Sequence, residues 1–395
     1  MGLMWEELRQ KRELPQVDKW LADKFRSLKQ YGSTDRKHIS DGIFLIFRYG
    51  IWVLHEYFSN DFDRKVATPA DTWGVLRGFN WDSIHPKLTL RLEKTKSIEW
   101  SLRERLIFEG IHPWYQSLLE ERSRLSGWLI EEWIDLQNQR PPLWLRINQI
   151  QQRTEILRDL KSDGFEVEEL GAALKVLGSK GIYNNKSYQQ GLIEIQDYAS
   201  QCLGESIAAQ PGDIIWDACA GGGGKTMQIA ASLMGKGAVM ASDIRSWKLE
   251  EVKRRAKKAK FHNVRTMAWD STQSFSLPRE AQSRGGFDKI FVDAPCSSSG
   301  TWRRNPDTRF RISPAELSSL TSLQYNILSE AAKSLRHGGT LAYATCSFFA
   351  EENELIVEKF CREHPEFSVK KMSLEGAPLV DADTMFVAIL MRQAK

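Results

Sequence analysis

The sequence predicts a multidomain protein: an α-helical N-terminal domain over residues 1–140, a small α+β linker domain over 141–190, and a C-terminal α/β, Rossmann-like domain over 191–395. Three observations predict this. Residues 1 to about 140 carry leucines and tryptophans at helical spacing, with no glycine-rich turn chemistry between them. The paired prolines Pro141-Pro142 then break the pattern. From Pro211 onward short apolar runs alternate with amphipathic stretches, which is how a doubly wound parallel sheet reads in sequence. At 395 residues the chain has room for two or three domains with ample core.

Taken in order, helices are expected over Leu14–Gln30, His38–Phe58 and Trp100–Leu119. Leu143–Asn148 reads as a strand, followed by a helix over Thr154–Ser162 and strand character around Ala173–Val176. In the C-terminal part the strands are Ile214–Trp216, Ala238–Ser242, Val264–Trp269, Lys289–Val292 and Thr340–Ala344. Helices Thr226–Leu233, Trp247–Lys260 and Pro314–Arg336 lie between them. The last begins well: Ser313 caps it, Pro314 occupies its first turn, and Glu316 stands at the third position. No internal repeat or low-complexity tract interrupts the chain.

The net charge of +4 says little, but its distribution is uneven: residues 251–350 hold 16 Lys+Arg against 8 Asp+Glu. Such a surplus beside a candidate site points to a polyanionic substrate. Five cysteines with no zinc-like pairing suggest reduced thiols in a cytoplasmic protein and no metal. No apolar run reaches ~18 residues, so no membrane span is expected, and the N-terminus carries no basic-then-apolar leader.

The chemistry gathers at strand ends, where open α/β sheets place their ligands. After Ile290-Phe291-Val292 comes Asp293-Ala-Pro-Cys296, in which Pro295 holds the carboxylate and the thiol at a set offset. A second apolar run, Leu341–Thr345, ends in Cys346-Ser347, so two strand ends would each present a thiol to one cleft. After the first strand stands Cys219-Ala220-Gly221-Gly222-Gly223-Gly224-Lys225, a loop whose glycines let backbone N–H groups approach a ligand. It misses the P-loop pattern at Cys219 and the dinucleotide pattern at Thr226. With Asp217, Asp243, Asp270 and Asp293 closing successive strands, it fits a nucleoside-type cofactor without a phosphate tail. S-adenosyl-L-methionine is the obvious candidate, because its sulfonium and amino group welcome carboxylates.

These stretches resemble the RsmB/NOP/Sun family of RNA cytosine-5 methyltransferases. The segments that carry the likeness are Gly191–Ser200, the glycine loop, Asp293–Asp307 (DAPCSSSGTWRRNPD) and Tyr343–Glu354 (YATCSFFAEENE). Pro142–Asn148 is similar too, and Asp35–Gly50 looks like part of the NusB-like RNA-binding domain that some members carry. The resemblance implies a class I methyltransferase domain in which Cys346 is the nucleophile and Cys296 assists product release. Cys219 through Lys225, Asp243, Asp270 and Asp293 would line the S-adenosylmethionine pocket, and Asp293 would also reach the pyrimidine. It implies ribosomal RNA as the favoured partner, with transfer RNA second; a non-catalytic RNA-binding factor and a P-loop hydrolase are the readings from other classes. This chain departs from the family where Gly221-Gly222 replace the usual Ala-Pro, which predicts a floppier loop.

The residue types suit that chemistry. A thiolate adding to carbon 6 of cytosine makes carbon 5 nucleophilic, and a free Cys has a pKa of ~8.5, so Cys346 needs a cationic setting. Lys225, Arg303 and Arg304 are the candidates to supply it. The target base must leave its stack to reach two strand ends, so a single-stranded or flipped cytidine is expected.

Overall fold

The protein is described here by a computed structural model covering residues 1–94, 100–178 and 181–394. The chain divides into two units, and the division does not follow chain order: Met1–Arg140 groups with Ser297–Ser319, and Pro141–Cys296 with Leu320–Lys395. Residues 297–319, which the sequence places in the C-terminal domain, thus group with the N-terminal helices.

The first unit is helical. Its longest helix, Ser33–Phe58, buries Ile39, Ile43, Ile46, Phe47, Ile51 and Leu54. Around these pack Trp5, Leu21, Trp73, Leu88 and Phe310. The helix expected over Trp100–Leu119 is broken into Leu102–Phe108, a 3-10 turn Pro113–Tyr115 and Gln116–Ser126. Gly110 causes the break: its φ is +70°, and a Cβ there would lie 1.7 Å from the Arg48 carbonyl oxygen.

The inserted segment is woven in through arginines. Arg309 donates to the carbonyls of Arg48 and Glu109 at 3.2 Å, to Gln137 O at 2.8 Å and to Asn138 Oδ1 at 3.1 Å. Burial depresses its pKa to about 9, the cost of holding a cation away from water. Arg303 donates to the carbonyls of Gln139 and Arg140, and Arg311 to those of Leu14 and Pro15. Trp302 is enclosed by Tyr115 and Trp133, with ring centroids 4.8 and 5.5 Å away.

The second unit holds two sheets. The smaller contains β1 (Leu143–Ile147), β2 (Glu166–Leu170), β3 (Ala173–Leu177) and β4 (Ile193–Ile195), all antiparallel in the order β2-β3-β1-β4. Leu145, Ile147 and Leu174 pack on Ile156 and Leu160 of the helix Arg153–Ser162. The larger sheet comprises β5 (Ile214–Asp217), β6 (Ala238–Asp243), β7 (Val264–Ala268), β8 (Phe287–Asp293), β9 (Leu335–Thr345), β10 (Phe367–Gly376) and β11 (Thr384–Arg392). Its order is β10-β11-β9-β8-β5-β6-β7. Strands β7, β6, β5, β8 and β9 run parallel, while β11 is antiparallel to both its neighbours. Apolar side chains alternate between two cores: Trp216, Ile290 and Tyr343 on one face, Ile215, Phe291 and Ala342 on the other.

The expected helix Pro314–Arg336 ends at Ala332, and Leu335 already belongs to β9. Pairing with β8 draws these residues out of the helix: Phe287 N–H donates to Ser334 O at 2.9 Å. The chain crosses from β5 out to β6 and β7, then returns to β8 on the other side of β5. That reversal opens a crevice at the carboxyl ends of β5 and β8.

One guanidinium serves four acceptors inside the helical unit; Glu109 O and Gln137 O keep a second donor in Asn138 Nδ2 and Arg48 Nη1, and a buried acceptor left unpaired costs about 1–3 kcal/mol. Arg309→Met is therefore expected to lower the helical unit's calorimetric unfolding midpoint by several degrees. Arg103→Ala removes only an exposed pair with Asp63 and should shift it by a degree or so, since such pairs contribute about 0–1 kcal/mol.

Candidate active site

Parallel pairing of β8 with β9 sets Asp293 opposite Ala344. Each strand then runs on to its cysteine, and the sulfurs of Cys296 and Cys346 end 3.3 Å apart, both half-buried. The remaining cysteines differ in kind. Burial pushes Cys219 well above the ordinary thiol range, reinforced by Asp217 and Asp293, and raises Cys202 to about 11 and Cys361 more modestly.

A buried polar network fixes the two thiol loops. Gln324, from the helix Pro314–Ala332, donates through Nε2 to Pro295 O and to Glu352 Oε1, both at 2.9 Å. Glu352 accepts from Ser347 Oγ through its other oxygen. Asn353 accepts from Thr345 Oγ1 at 2.6 Å and donates to Ser347 O at 3.0 Å. Gln324, Ser347, Glu352 and Asn353 are all fully buried. The residue before one thiol is thus tied, through two side chains, to the residue after the other. Sequence reading gave Gln324, Glu352 and Asn353 no part; polar residues on the helix between the strands and just past Cys346 were the available signal.

Beside the thiols Lys225 Nζ donates to Asp293 Oδ2 at 2.8 Å. Burial works against the ammonium, but Asp293 and the Cys346 thiol outweigh it, and the Lys225 pKa is raised. Lys225 is therefore a cation coupled to Cys346. Arg303 holds carbonyl oxygens of the helical unit, and Arg304 belongs to that unit as well.

The loop Cys219–Lys225 hangs from both neighbouring strands: Ala218 N–H donates to Phe291 O at 2.9 Å and Ala220 N–H to Ser242 O at 2.8 Å. Gly221 and Gly223 have φ of +52° and +84°, the left-handed region that favours glycine. Gly221 N–H donates to Asp243 Oδ2 at 3.0 Å, and Arg245 closes on the same carboxylate. Burial alone would raise the Asp243 pKa, but Arg245 and the Gly221 amide hold it below the usual range. Of the sequence-predicted residues, the structure brings together Cys296 with Cys346, Lys225 with Asp293, and Gly221 with Asp243. Asp270 is exposed past β7 and bonds only locally, to Thr272. A glycine loop at the sheet's reversal, with carboxylates on the flanking strand ends, has the backbone N–H groups and acidic partners that a nucleoside bearing a sulfonium and an amine requires.

A mainly parallel seven-stranded sheet with one antiparallel strand and a glycine loop at its switch point defines a Rossmann-like methyltransferase domain. Residues 205–390 match the model of the family described as 16S rRNA methyltransferase RsmB/F. Over those residues the chain is similar to the RsmB/F methyltransferases. It is 32% identical over 285 residues to the probable ribosomal RNA small subunit methyltransferase B of Bacillus subtilis, covering 68% of this chain and 62% of that protein. The ribosomal RNA small subunit methyltransferase B of Pasteurella multocida is 33% identical over 275 residues, covering 68% of this chain and 60% of the relative. The chain thus spans about three fifths of these relatives' length. Among solved structures, PH0851 superposes with a TM-score of 0.73 at 22% identity, covering 98% of this chain and 97% of that one. NSun6 from Pyrococcus horikoshii with SFG gives 0.60 at 19% identity, over 71% of this chain and 98% of that one. At these identities the likeness is one of fold.

Asp217 lies beneath the loop, fully buried, with Oδ2 accepting from Thr226 Oγ1 at 2.6 Å and Oδ1 unpaired. Burial raises its pKa from 3.8 to about 7; Thr226 opposes the shift, and Asp293 and Asp243 add to it. A carboxyl with a raised folded pKa contributes stability that is whole below the unfolded value and lost as pH rises through the folded one. Asp217→Asn is therefore expected to match the parent near pH 4 and to exceed its stability by a few kcal/mol above pH ~7, at roughly 1.4 kcal/mol per pKa unit. Thermal melts across that range test it: a difference independent of pH would remove Asp217 as the titrating group.

Proposed function

We propose that this protein transfers a methyl group from S-adenosylmethionine to carbon 5 of a cytidine in ribosomal RNA, through a covalent adduct at Cys346, in the cytoplasm. The observation that carries the reading is the pair of sulfurs 3.3 Å apart at adjoining strand ends. Beside them lies a lysine coupled to both Cys346 and Asp293. The names of the relatives add the ribosomal target, and the basic surplus over residues 251–350 suits a polyanion. The helical unit, read as NusB-like, would supply RNA contacts.

Each residue then has a task. Lys225 favours the thiolate of Cys346, which adds to carbon 6 while Asp293 supplies a hydrogen bond at ring nitrogen 3. Asp293 donates only when it carries a proton. The proton that the Cys346 thiol loses on becoming a thiolate would pass to Asp293, which would release Lys225 from that carboxylate and leave its charge to the Cys346 sulfur. Lys225, Gly221–Gly224, Asp243 and Asp293 would hold the cofactor, which supplies the methyl group. Once carbon 5 is methylated it must lose its proton to a base, and the electron pair of that C–H bond expels the Cys346 sulfur. Cys296, in contact with Cys346, is placed to assist this step.

Cys346→Ala is expected to abolish methylation, whereas Cys296→Ala should leave RNA bound to protein on a denaturing gel. Two unchanged activities would end the two-thiol scheme. Bisulfite sequencing of RNA from cells lacking the gene should show one 5-methylcytidine missing from small-subunit ribosomal RNA; a loss confined to transfer RNA would reassign the substrate.

A further inference from the structure

The family's proline is missing from the cofactor loop, and Gly221-Gly222 in its place should leave the backbone free to wander. The structure contains a substitute. Arg255, in the last turn of the helix Ser246–Lys258, donates through Nη1 to Gly222 O. Its Nε and Nη2 go to the two oxygens of Glu194, Nε at 3.3 Å. Glu194 lies on β4 directly opposite Arg146 of β1. Arg146 reaches the same loop, with Nη1 donating to Gly224 O at 2.6 Å and Nη2 standing 3.5 Å from Glu194 Oε2. Asn148 and Gln196 take up its remaining bonds. Burial lowers the Arg146 pKa to about 10, so it stays charged at neutral pH.

We propose that Arg255, Glu194 and Arg146 are positioning residues that clamp the cofactor loop by its carbonyl oxygens, doing by charge what proline does by covalent geometry. The clamp rests on the reading of this loop as the S-adenosylmethionine site. Two guanidinium groups take the carbonyls of Gly222, within the loop, and of Gly224, where the loop enters the helix Gly224–Ser232, and the single carboxylate of Glu194 bonds both. The loop amides are then fixed before the ligand arrives, which removes an ordering cost from binding. A merely structural ion pair would need neither loop carbonyl.

The test is calorimetric titration of the protein with S-adenosylmethionine, paired with amide hydrogen exchange of residues 218–226 in its absence. Arg255→Met and Glu194→Gln should each weaken binding at least fivefold and speed exchange in that segment, with β5 and β8 unchanged. Arg255→Lys keeps the charge but cannot bond Gly222 and both Glu194 oxygens together, so it should fall with the methionine variant. Gly222 does not have a positive φ, and a Cβ there meets Glu251 at 3.5 Å and Arg255 Nη1 at 3.6 Å, both ordinary contact distances. Adding Gly222→Ala to Arg255→Met should therefore recover about two- to fivefold in affinity, as expected for a stiffened glycine, and little in the parent. Unaltered affinity and exchange in all three Arg255 and Glu194 variants would overturn the proposal. A parent that fails to bind the cofactor would instead refute the cofactor reading, while the exchange rates still decide whether the clamp restrains the loop.

Discussion

One constraint governs the site: the parallel pairing of β8 with β9. Strand register has a period of two residues, so a slip of one would turn every side chain to the other face of the sheet. The register here is pinned by full burial of Ile290, Phe291, Leu341 and Ala342, which divide between two separate cores. With that register, Asp293 stands beside Ala344, and the chain needs only a few residues on each strand to deliver its thiol. Proximity of the sulfurs follows from ordinary sheet geometry. Their mutual orientation does not, and needs further support.

That support is the network of Gln324, Glu352 and Asn353. Burying a carboxylate is expensive unless its oxygens are satisfied. Glu352 meets the condition by accepting from Gln324 with one oxygen and from Ser347 with the other. Tyr343 adds a hydroxyl donated to the Glu352 backbone carbonyl at 2.6 Å. Every member is held by another, so no thiol loop can move without leaving a buried polar atom unpaired. Such networks specify one arrangement, and losing one member costs more than its own bond.

Much of this was legible in the sequence. Five strands and their intervening helices in the C-terminal part follow from apolar runs broken by turn residues, and the thiols stand out because each closes such a run. What escaped did so for physical reasons. β2 is a largely exposed edge strand, EVEEL, with no apolar pattern to reveal it. The break near Gly110 depends on a backbone approach from Arg48, remote in sequence. Residues 297–319 read as a continuation of the Asp293–Cys296 motif, yet their arginines and Trp302 are satisfied by carbonyls and rings of the helical unit. Propensity and periodicity carry no information on such long-range partners. Among the site residues, Asp243 has a partner that its motif does not show: Arg245, two residues on, bonds both its oxygens.

The glycine loop shows why a departure from a family pattern must be read with its surroundings. A proline restricts the unfolded and folded loop alike, at no electrostatic cost. Glycine at the same place gives the backbone freedom that folding must then remove, of order 1–2 kcal/mol per residue fixed. Here the removal falls to two arginines. Their desolvation is offset only because Glu194 and several carbonyl oxygens accept from both. The order is therefore bought with a buried charge, and it depends on groups from β1, β4 and a helix end rather than on the loop's own covalent structure. A loop ordered in this way is sensitive to residues some thirty to eighty positions distant in sequence, where no motif search would look for it.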